Sequence, residues 1–345
     1  VKEKIAIFPY DQDVSYILES LNTSLYDIRH VINLENDISK LENSDLLCSE
    51  NEFMDNNFIN NIDSIILNNS KKFSDKQIFI DIINVAISKG KSIRLLEDLS
   101  KEYNNLSYDL LEEQQAVIRE SYEIGIPVIM VSGLGENCEK MNIQVDLQKF
   151  FNNKGYKTSW IASNNAGSII GANVIPGFIY DDEFDFNEKV YKFQQYAKEV
   201  VKKGEADVLI IGIPGAPMIF NKFIHNNYGY LHYLLTSAVT PDICILSLYA
   251  GKYSNEYLQE LKKTYYYKFG MRVNYFNICK KVCQYSPESK GLEFYNVDRE
   301  FLLNNCVDYS ENEEDSFVFS MEDARGKDQV LHSILNELQN NIALV

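Results

Sequence analysis

The sequence predicts an α/β protein of two three-layer domains with mostly parallel sheets. Three observations predict it. Short apolar runs alternate with longer amphipathic stretches, the pattern of parallel strand–helix–strand units. The alternation lapses near residue 105 and restarts near 125. The 345 residues amount to about two domains at ~150 residues each, long enough to bury cores without disulfide or metal staples. The expected division is a first domain over 1–105, a connecting helix over 106–124 and a second domain over 125–345 with a C-terminal helix.

In the first domain, residues 4–10 read as a buried strand ended by Pro9. A helix follows near 12–21, then strands at 26–32 and 62–67. Ser74 or Asp75 is placed to cap a helix running to about Ser88, with Ile78, Ile82 and Val85 on one face. Gly90 stops it, and 92–96 forms a fourth strand. This succession is Rossmann-like. Residues 106–123 carry Leu110, Leu111, Val117 and Ile118 amid Glu and Gln, as a connecting helix would.

The second half opens on Ile126-Pro127-Val128-Ile129-Met130-Val131-Ser132, apolar almost throughout. Such runs sit at the centre of parallel sheets, covered on both faces. A glycine loop follows, then a helix over 141–152 with Ile143, Leu147, Phe150 and Phe151 inward, ended by Gly155. Further strands are expected at 157–162, 207–212, 242–248 and 272–278. A small-residue loop covers 163–171, and helices are expected at 184–203, 255–267 and 328–341.

Composition excludes several classes of function. Fifty acidic against 33 basic residues give a net charge of −17, unfavourable for general binding to nucleic-acid phosphates or anionic membranes. No apolar run reaches the roughly 18 residues of a membrane span, and the start of the chain leads into a strand rather than a signal peptide. The six cysteines, at 48, 138, 244, 279, 283 and 306, are scattered as reduced thiols are, not spaced as a disulfide framework. The expected location is the cytoplasm.

The loop Gly133-Leu134-Gly135-Glu136-Asn137-Cys138-Glu139-Lys140 carries the clearest chemical signal. A buried strand, a glycine loop and a lysine at the mouth of a helix form the layout that cradles phosphate on backbone N–H groups. The strict pattern is G-x-x-x-x-G-K-[ST], and here the spacing from Gly133 to Lys140 is one residue longer. That longer form resembles the dethiobiotin-synthetase-like branch of P-loop proteins, with Gly133 and Lys140 in their places. Glu139 stands where glycine belongs, and Met141 where a Ser or Thr would ligate Mg²⁺. The later strand, which in that branch carries a metal-directed acid, ends here in Gly212-Ile213-Pro214-Gly215 without one. The second domain is therefore a degenerate P-loop-like one. Gly133, Gly135, Glu136, Asn137, Lys140, Gly212, Pro214 and Gly215 are the candidate site for a nucleotide or phosphate, with a chemically idle turn as the alternative. They fall where open α/β sheets place ligands. Asn221 and His225, downstream of the Pro214-Gly215 turn, are candidate ligand contacts, and His232 follows them.

The same blocks resemble an accessory family of clostridial peptide-maturation systems. The resemblance rests on Gly133 to Cys138 with Lys140, Gln144 and Leu147, and on Lys154-Gly155-Tyr156-Lys157 with Ile161 and Ser163. Phe8-Pro9-Tyr10-Asp11 is similar to that family's Tyr-Pro-Tyr-Asp opening. The 207–215 block with Asn221, and Val239-Thr240-Pro241-Asp242, match later blocks. It spans about residues 4 to 280. Leu46-Leu47-Cys48-Ser49-Glu50 stands where the family tends to carry a Gly-Trp-Gly turn. The family's genes lie beside radical-SAM maturases and short Cys-containing precursor peptides. The resemblance therefore implies an accessory role in maturing a ribosomally synthesised, post-translationally modified peptide, with the precursor or the radical-SAM maturase as partner. It supplies no catalytic residues. An ATP-dependent peptide-modifying enzyme and a nucleotide-sensing regulator without turnover are the alternatives.

Other groupings carry less. Cys279-x₃-Cys283 lacks the second pair that a structural metal site needs, so buried thiols are the expectation, a redox-sensitive pair is the alternative, and no metal is assigned. Cys138 reads by default as a plain packing cysteine, with a pKa lowered by the nearby helix N-terminus as the alternative. The acidic run at 311–315 reads as a solvated loop, or as a surface complementary to a basic leader peptide.

Overall fold

A computed structural model describes residues 2–10, 14, 26–33, 46–49, 52–53, 58–67, 76–95, 123–307 and 317–342. The expected helix near 12–21, the cap at Ser74 or Asp75, the connecting helix at 106–124 and the acidic run at 311–315 lie wholly or almost wholly outside these residues. The chain separates into two compact units, one of Val1–Gln115 with Asn165–Gly177, the other of Ala116–Asn164 with Phe178–Val345. Among the described residues no helix is long and apolar enough to cross a membrane.

The first unit holds strands β1 (Glu3–Phe8), β2 (Tyr26–Asn33), β3 (Leu47–Ser49) and β4 (Ser64–Leu67), helix α1 (Lys76–Ser88) and strand β5 (Ser92–Leu95). The sheet order is β3-β2-β1-β4-β5, and every pairing is parallel. Side chains alternate across β1 with the two-residue strand period. Ala6 and Phe8 join a core with Ile65, Leu67, Ile82 and Ile83. Ile5 and Ile7 join a separate core with Val31 and Ile66. Ala166 and Ile169 complete the second core. They come from a 3₁₀ turn, Asn165–Ile170, inside the segment expected to be a plain small-residue loop.

The second unit contains β6 (Val128–Gly133), α2 (Lys140–Asn153), β7 (Thr158–Ala162), α3 (Phe186–Gly204) and β9 (Val208–Gly212). It continues through α4 (Tyr230–Ala238), β10 (Ile243–Leu248), α5 (Asn255–Phe269) and β11 (Val273–Ile278). The hairpin β12 (Lys281–Ser286) and β13 (Gly291–Asn296) follows, then α6 (Arg299–Asn305), β14 (Phe317–Phe319) and α7 (Ala324–Ile342). Within this unit the large sheet runs β14-β11-β10-β6-β9-β7, and the two-residue strand β8 (Asn173–Val174) falls in the segment of the first unit. Its pairings from β14 through β7 are all parallel.

The three central strands β9, β6 and β10 are buried at every residue, as their unbroken apolar runs require. On α2, Ile143, Leu147 and Phe151 are buried and Phe150 is half-buried. Helix α3 begins in a capping box: the Asp185 carboxylate accepts from the Glu188 amide and the Glu188 carboxylate from the Asp185 amide, an arrangement that satisfies two orphan donors of the first turn. The antiparallel β12–β13 hairpin has no counterpart in the expected elements.

Candidate functional site

Strand β6 lies between β9 and β10, so the glycine loop leaves the sheet's carboxyl edge beside the turn that follows β9. The Leu134 amide donates to the Ser247 carbonyl at 2.8 Å, extending the ladder with β10 by one bond. Both glycines are required by space. A Cβ on Gly133 would stand 2.9 Å from Cys138 Cβ and 3.1 Å from Lys140 Cδ. One on Gly135 would stand 2.1 Å from the Tyr249 hydroxyl, which donates to the Glu136 carbonyl at 2.6 Å. Asn137 (φ 55°) and Glu139 (φ 54°) adopt left-handed backbone on either side of Cys138. Such alternation turns successive amides toward one side, the form of anion-binding nests.

Lys140 occupies the mouth of α2. Its ammonium donates to the Gly215 carbonyl at 2.7 Å and to the Gly135 carbonyl at 3.1 Å. The structure thus joins the glycine loop to the Pro214-Gly215 turn through one buried cation. Gly212 is pressed against Gln144, whose Oε1 would lie 2.2 Å from an added Cβ. Gln144, quoted above only for its part in a resemblance, ties α2 to the end of β7. Its amide donates to the Ile161 carbonyl and its Oε1 accepts from the Ser163 amide, both at 3.0 Å.

Glu139 turns out not to aim its charge at the loop. Its Oε2 accepts from the Lys280 amide at 3.3 Å. Burial raises its pKa, opposed mainly by the Lys280 charge, with Glu322 adding to the rise. Lys280 itself pairs with Glu322 at 3.2 Å. The left-handed backbone at Glu139 is the conformation that the usual glycine would adopt freely and that costs an L side chain roughly 1–2 kcal/mol. Met141 is buried, so a thioether packed in the core replaces the hydroxyl that would ligate a hard cation.

The contacts of Asn221 and His225 lie within their own loop. Asn221 Oδ1 accepts from the amides of Phe223 and Ile224 at 2.8 and 3.0 Å. The exposed His225 bonds the Lys222 carbonyl through Nε2 at 2.9 Å and stacks on Tyr228. His232 is the less expected participant. It is fully buried, with Nε2 2.9 Å from the Ser132 hydroxyl, which also lies 3.2 Å from the Tyr265 hydroxyl. Burial first, then the charges of Lys140 and Lys268, hold its pKa well below the ordinary value. It is thus a neutral polar post under the last residues of β6, with Nδ1 unpartnered among the described residues. Nothing local in the sequence announces this contact, which spans a hundred residues.

Lys268 performs a second clamping task, donating to the carbonyls of Pro217 and Tyr228 at 3.0 Å each. Between them, Asn226, Asn227, Tyr228 and Gly229 all have positive φ, from 46° to 77°. The segment 215–229 is therefore held by Lys140 at Gly215 and by Lys268 at both Pro217 and Tyr228.

Two variants test this local geometry. Gly135→Ala is expected to cost about 2 kcal/mol through overpacking. Much of that should return in Gly135→Ala/Tyr249→Phe, where the obstructing hydroxyl is gone. Tyr249→Phe alone should cost about 1 kcal/mol for its lost hydrogen bond. Additive denaturation energies for the two changes would refute the contact. Glu139→Gln tests the buried carboxyl. A folded-state pKa raised above the unfolded one gives a stabilisation that is complete below the unfolded value and lost as pH rises through the folded value. The variant should therefore gain stability relative to the parent as pH rises from 4 to 8. A pH-independent difference in urea midpoint would count against a raised Glu139 pKa.

No protein-family model matches this sequence, and no curated protein matches it. Among solved structures, a DUF1611 family protein from Anabaena variabilis matches 97% of this chain and 100% of its own length, with a TM-score of 0.63 at 13% identity. The chain has that fold over its full length. More remote are chloroplast FtsY from Physcomitrella patens, over 48% of this chain and 53% of its own (TM-score 0.30, 15% identity), and a nucleotide-binding protein in complex with ADP from Archaeoglobus fulgidus, over 62% and 88% (0.31, 12%). The protein is thus of the α/β class, with parallel sheets of five and seven strands.

Proposed function

We propose that the glycine loop and the Pro214-Gly215 turn bind the phosphate of a small molecule, and that the chain acts as an accessory protein in maturing a ribosomally synthesised, modified peptide. The observation that carries the first part is Lys140. Its ammonium is held by two backbone carbonyls at the N-terminus of a 14-residue helix, where the helix dipole and loop amides favour an anion. The departure that most opposed this reading, a carboxylate at position 139, is engaged by the Lys280 amide instead.

Met141 and the acid-free strand β9 weigh against the ATP-dependent alternative, because they replace the usual Mg²⁺ ligands. Binding without turnover fits both a nucleotide and a free phosphate compound. Calorimetry with pyrophosphate, ADP and ATP, with and without Mg²⁺, separates them. Binding should be little changed by Mg²⁺ and weakened about 100-fold or more in Lys140→Met, the loss of roughly 2.7 kcal/mol of charge-assisted hydrogen bonding. If none of the three binds, the phosphate site is refuted.

The accessory role rests on the sequence blocks that resemble those of the clostridial peptide-maturation family. Its partner would be the precursor peptide or the radical-SAM maturase. Fluorescence anisotropy with a labelled Cys-containing precursor peptide and with a radical-SAM maturase of the kind that accompanies that family tests it. Failure to bind either would retire the role and leave the phosphate site standing.

A further inference from the structure

Strands β6, β10 and β11 are neighbours in the sheet, and the residues just beyond their carboxyl ends converge. Cys138 follows β6, Tyr249 follows β10 and Cys279 follows β11. These three form one buried cluster, with Leu134, Cys283 and Phe294 packed against it. Cys138 and Cys279, 141 positions apart in the sequence, are both buried within this one cluster, and the Cys279 thiol donates to the Lys281 carbonyl at 3.9 Å. Among the described residues no group of His, Cys, Asp or Glu is arranged to hold a metal ion, so sulfur chemistry, not coordination, is what this cluster offers.

We propose that Cys138 and Cys279 are a redox-active dithiol whose oxidation ties the glycine loop covalently to the end of β11. The two thiols have unequal roles. Burial opposes ionisation of Cys138, but the Cys279 thiol, the Lys140 charge and the Gly135 backbone outweigh it and lower its pKa. Burial drives the Cys279 pKa well up. Cys138 lies on the glycine loop two residues before Lys140, at the N-terminus of α2, where a thiolate is favoured, so the attacking role falls to it and the resolving role to Cys279. Cys283, partly exposed, packs against the same cluster.

The oxidant is a hydroperoxide. The Cys138 thiolate attacks one peroxide oxygen, the O–O bond breaks, and a sulfenic acid forms as hydroxide leaves. The Cys279 sulfur then attacks the sulfenyl sulfur. The S–S bond forms, and the departing hydroxide takes up the Cys279 proton as water. With hydrogen peroxide, two thiols and one peroxide give one disulfide and two waters. A dithiol reductant reverses it. The step requires no ligand at the glycine loop and is independent of the phosphate-binding proposal.

The test uses the reduced full-length chain, treated with hydrogen peroxide, denatured, alkylated and mapped by mass spectrometry. The expected product is a peptide pair crosslinked through Cys138 and Cys279, absent after reduction. Cys279→Ser should instead leave Cys138 trapped as sulfenic or higher oxides, with a thermal melt confirming that the variant folds. In the oxidised parent, amide exchange across 134–140 should slow. Recovery of both cysteines as alkylated thiols, at a peroxide dose that oxidises free glutathione in the same tube, overturns the proposal. So does a Cys138–Cys283 crosslink as the main product.

Discussion

Gly229→Ala is expected to destabilise the second unit by about 3 kcal/mol, the largest stability effect of any single methyl group here. Two costs add. Gly229 has φ 77° and ψ 23°, a left-handed conformation worth roughly 1–2 kcal/mol against any side chain. Its Cβ would also stand 2.2 Å from the Pro217 carbonyl oxygen and 3.0 Å from Phe269 Cζ. A backbone oxygen cannot swing away as a flexible side chain can, and overpacking typically adds about 1–3 kcal/mol. This oxygen also accepts from Lys268, so displacing it weakens the clamp on segment 215–229. Gly270→Ala is the control: φ is 69°, but nothing lies within 4 Å of its Cβ, so only the conformational cost of about 1 kcal/mol applies. The sole tryptophan, Trp160, is buried on β7 and reports unfolding of this unit by fluorescence in urea. Equal losses for the two variants would show that the Pro217 contact carries no weight.

Such a contact marks the limit of what the sequence could reveal. The central strands were legible because burial on both faces leaves them apolar at nearly every position. The glycine loop was legible because strand, Gly133, Gly135 and Lys140 lie within a few residues of one another. The direction of the Glu139 side chain was not, because its partner amide at Lys280 is 141 residues away and only the order β11-β10-β6 brings it close. His232 and Ser132 meet for the same kind of reason. Tyr249 could not be recognised as the group that makes Gly135 obligatory, since an isolated tyrosine after a buried strand has no distinguishing pattern. The β12–β13 hairpin had a usable signal that went unread. Val282, Leu292 and Phe294 are spaced as strand residues around Pro287-Glu288-Ser289-Lys290, a turn in which Lys290 takes φ 51°. The 3₁₀ turn at Asn165–Ile170 was hidden by its small residues, which suggest a loop but here let Ala166 and Ile169 pack tightly into a core.

Lys140→Met carries the largest functional effect, because one ammonium serves two backbone segments. In the unliganded protein it satisfies the carbonyls of Gly135 and Gly215. Methionine keeps much of the length and apolar volume of the stem but offers no donor. Each carbonyl then loses a charge-assisted bond worth about 1.5–3 kcal/mol, partly offset because a buried charge no longer needs desolvation. A net loss of about 2 kcal/mol is the expected outcome, accompanied by loss of phosphate binding. The distribution of the effect is more telling than its size. Lys268 still grips Pro217 and Tyr228, so amide exchange should quicken at 134–137 and 213–216 while the segment near Tyr228 keeps its protection. Uniformly faster exchange throughout the second unit would mean that Lys140 supports the core generally and does not specifically join these two turns. Arginine is the useful companion variant: it retains the charge, but its rigid planar fork cannot simply reproduce the compact ammonium between two carbonyls. Weakened pyrophosphate binding in both variants, with local exchange changes at both turns, would locate the anion site and the clamp on the same nitrogen.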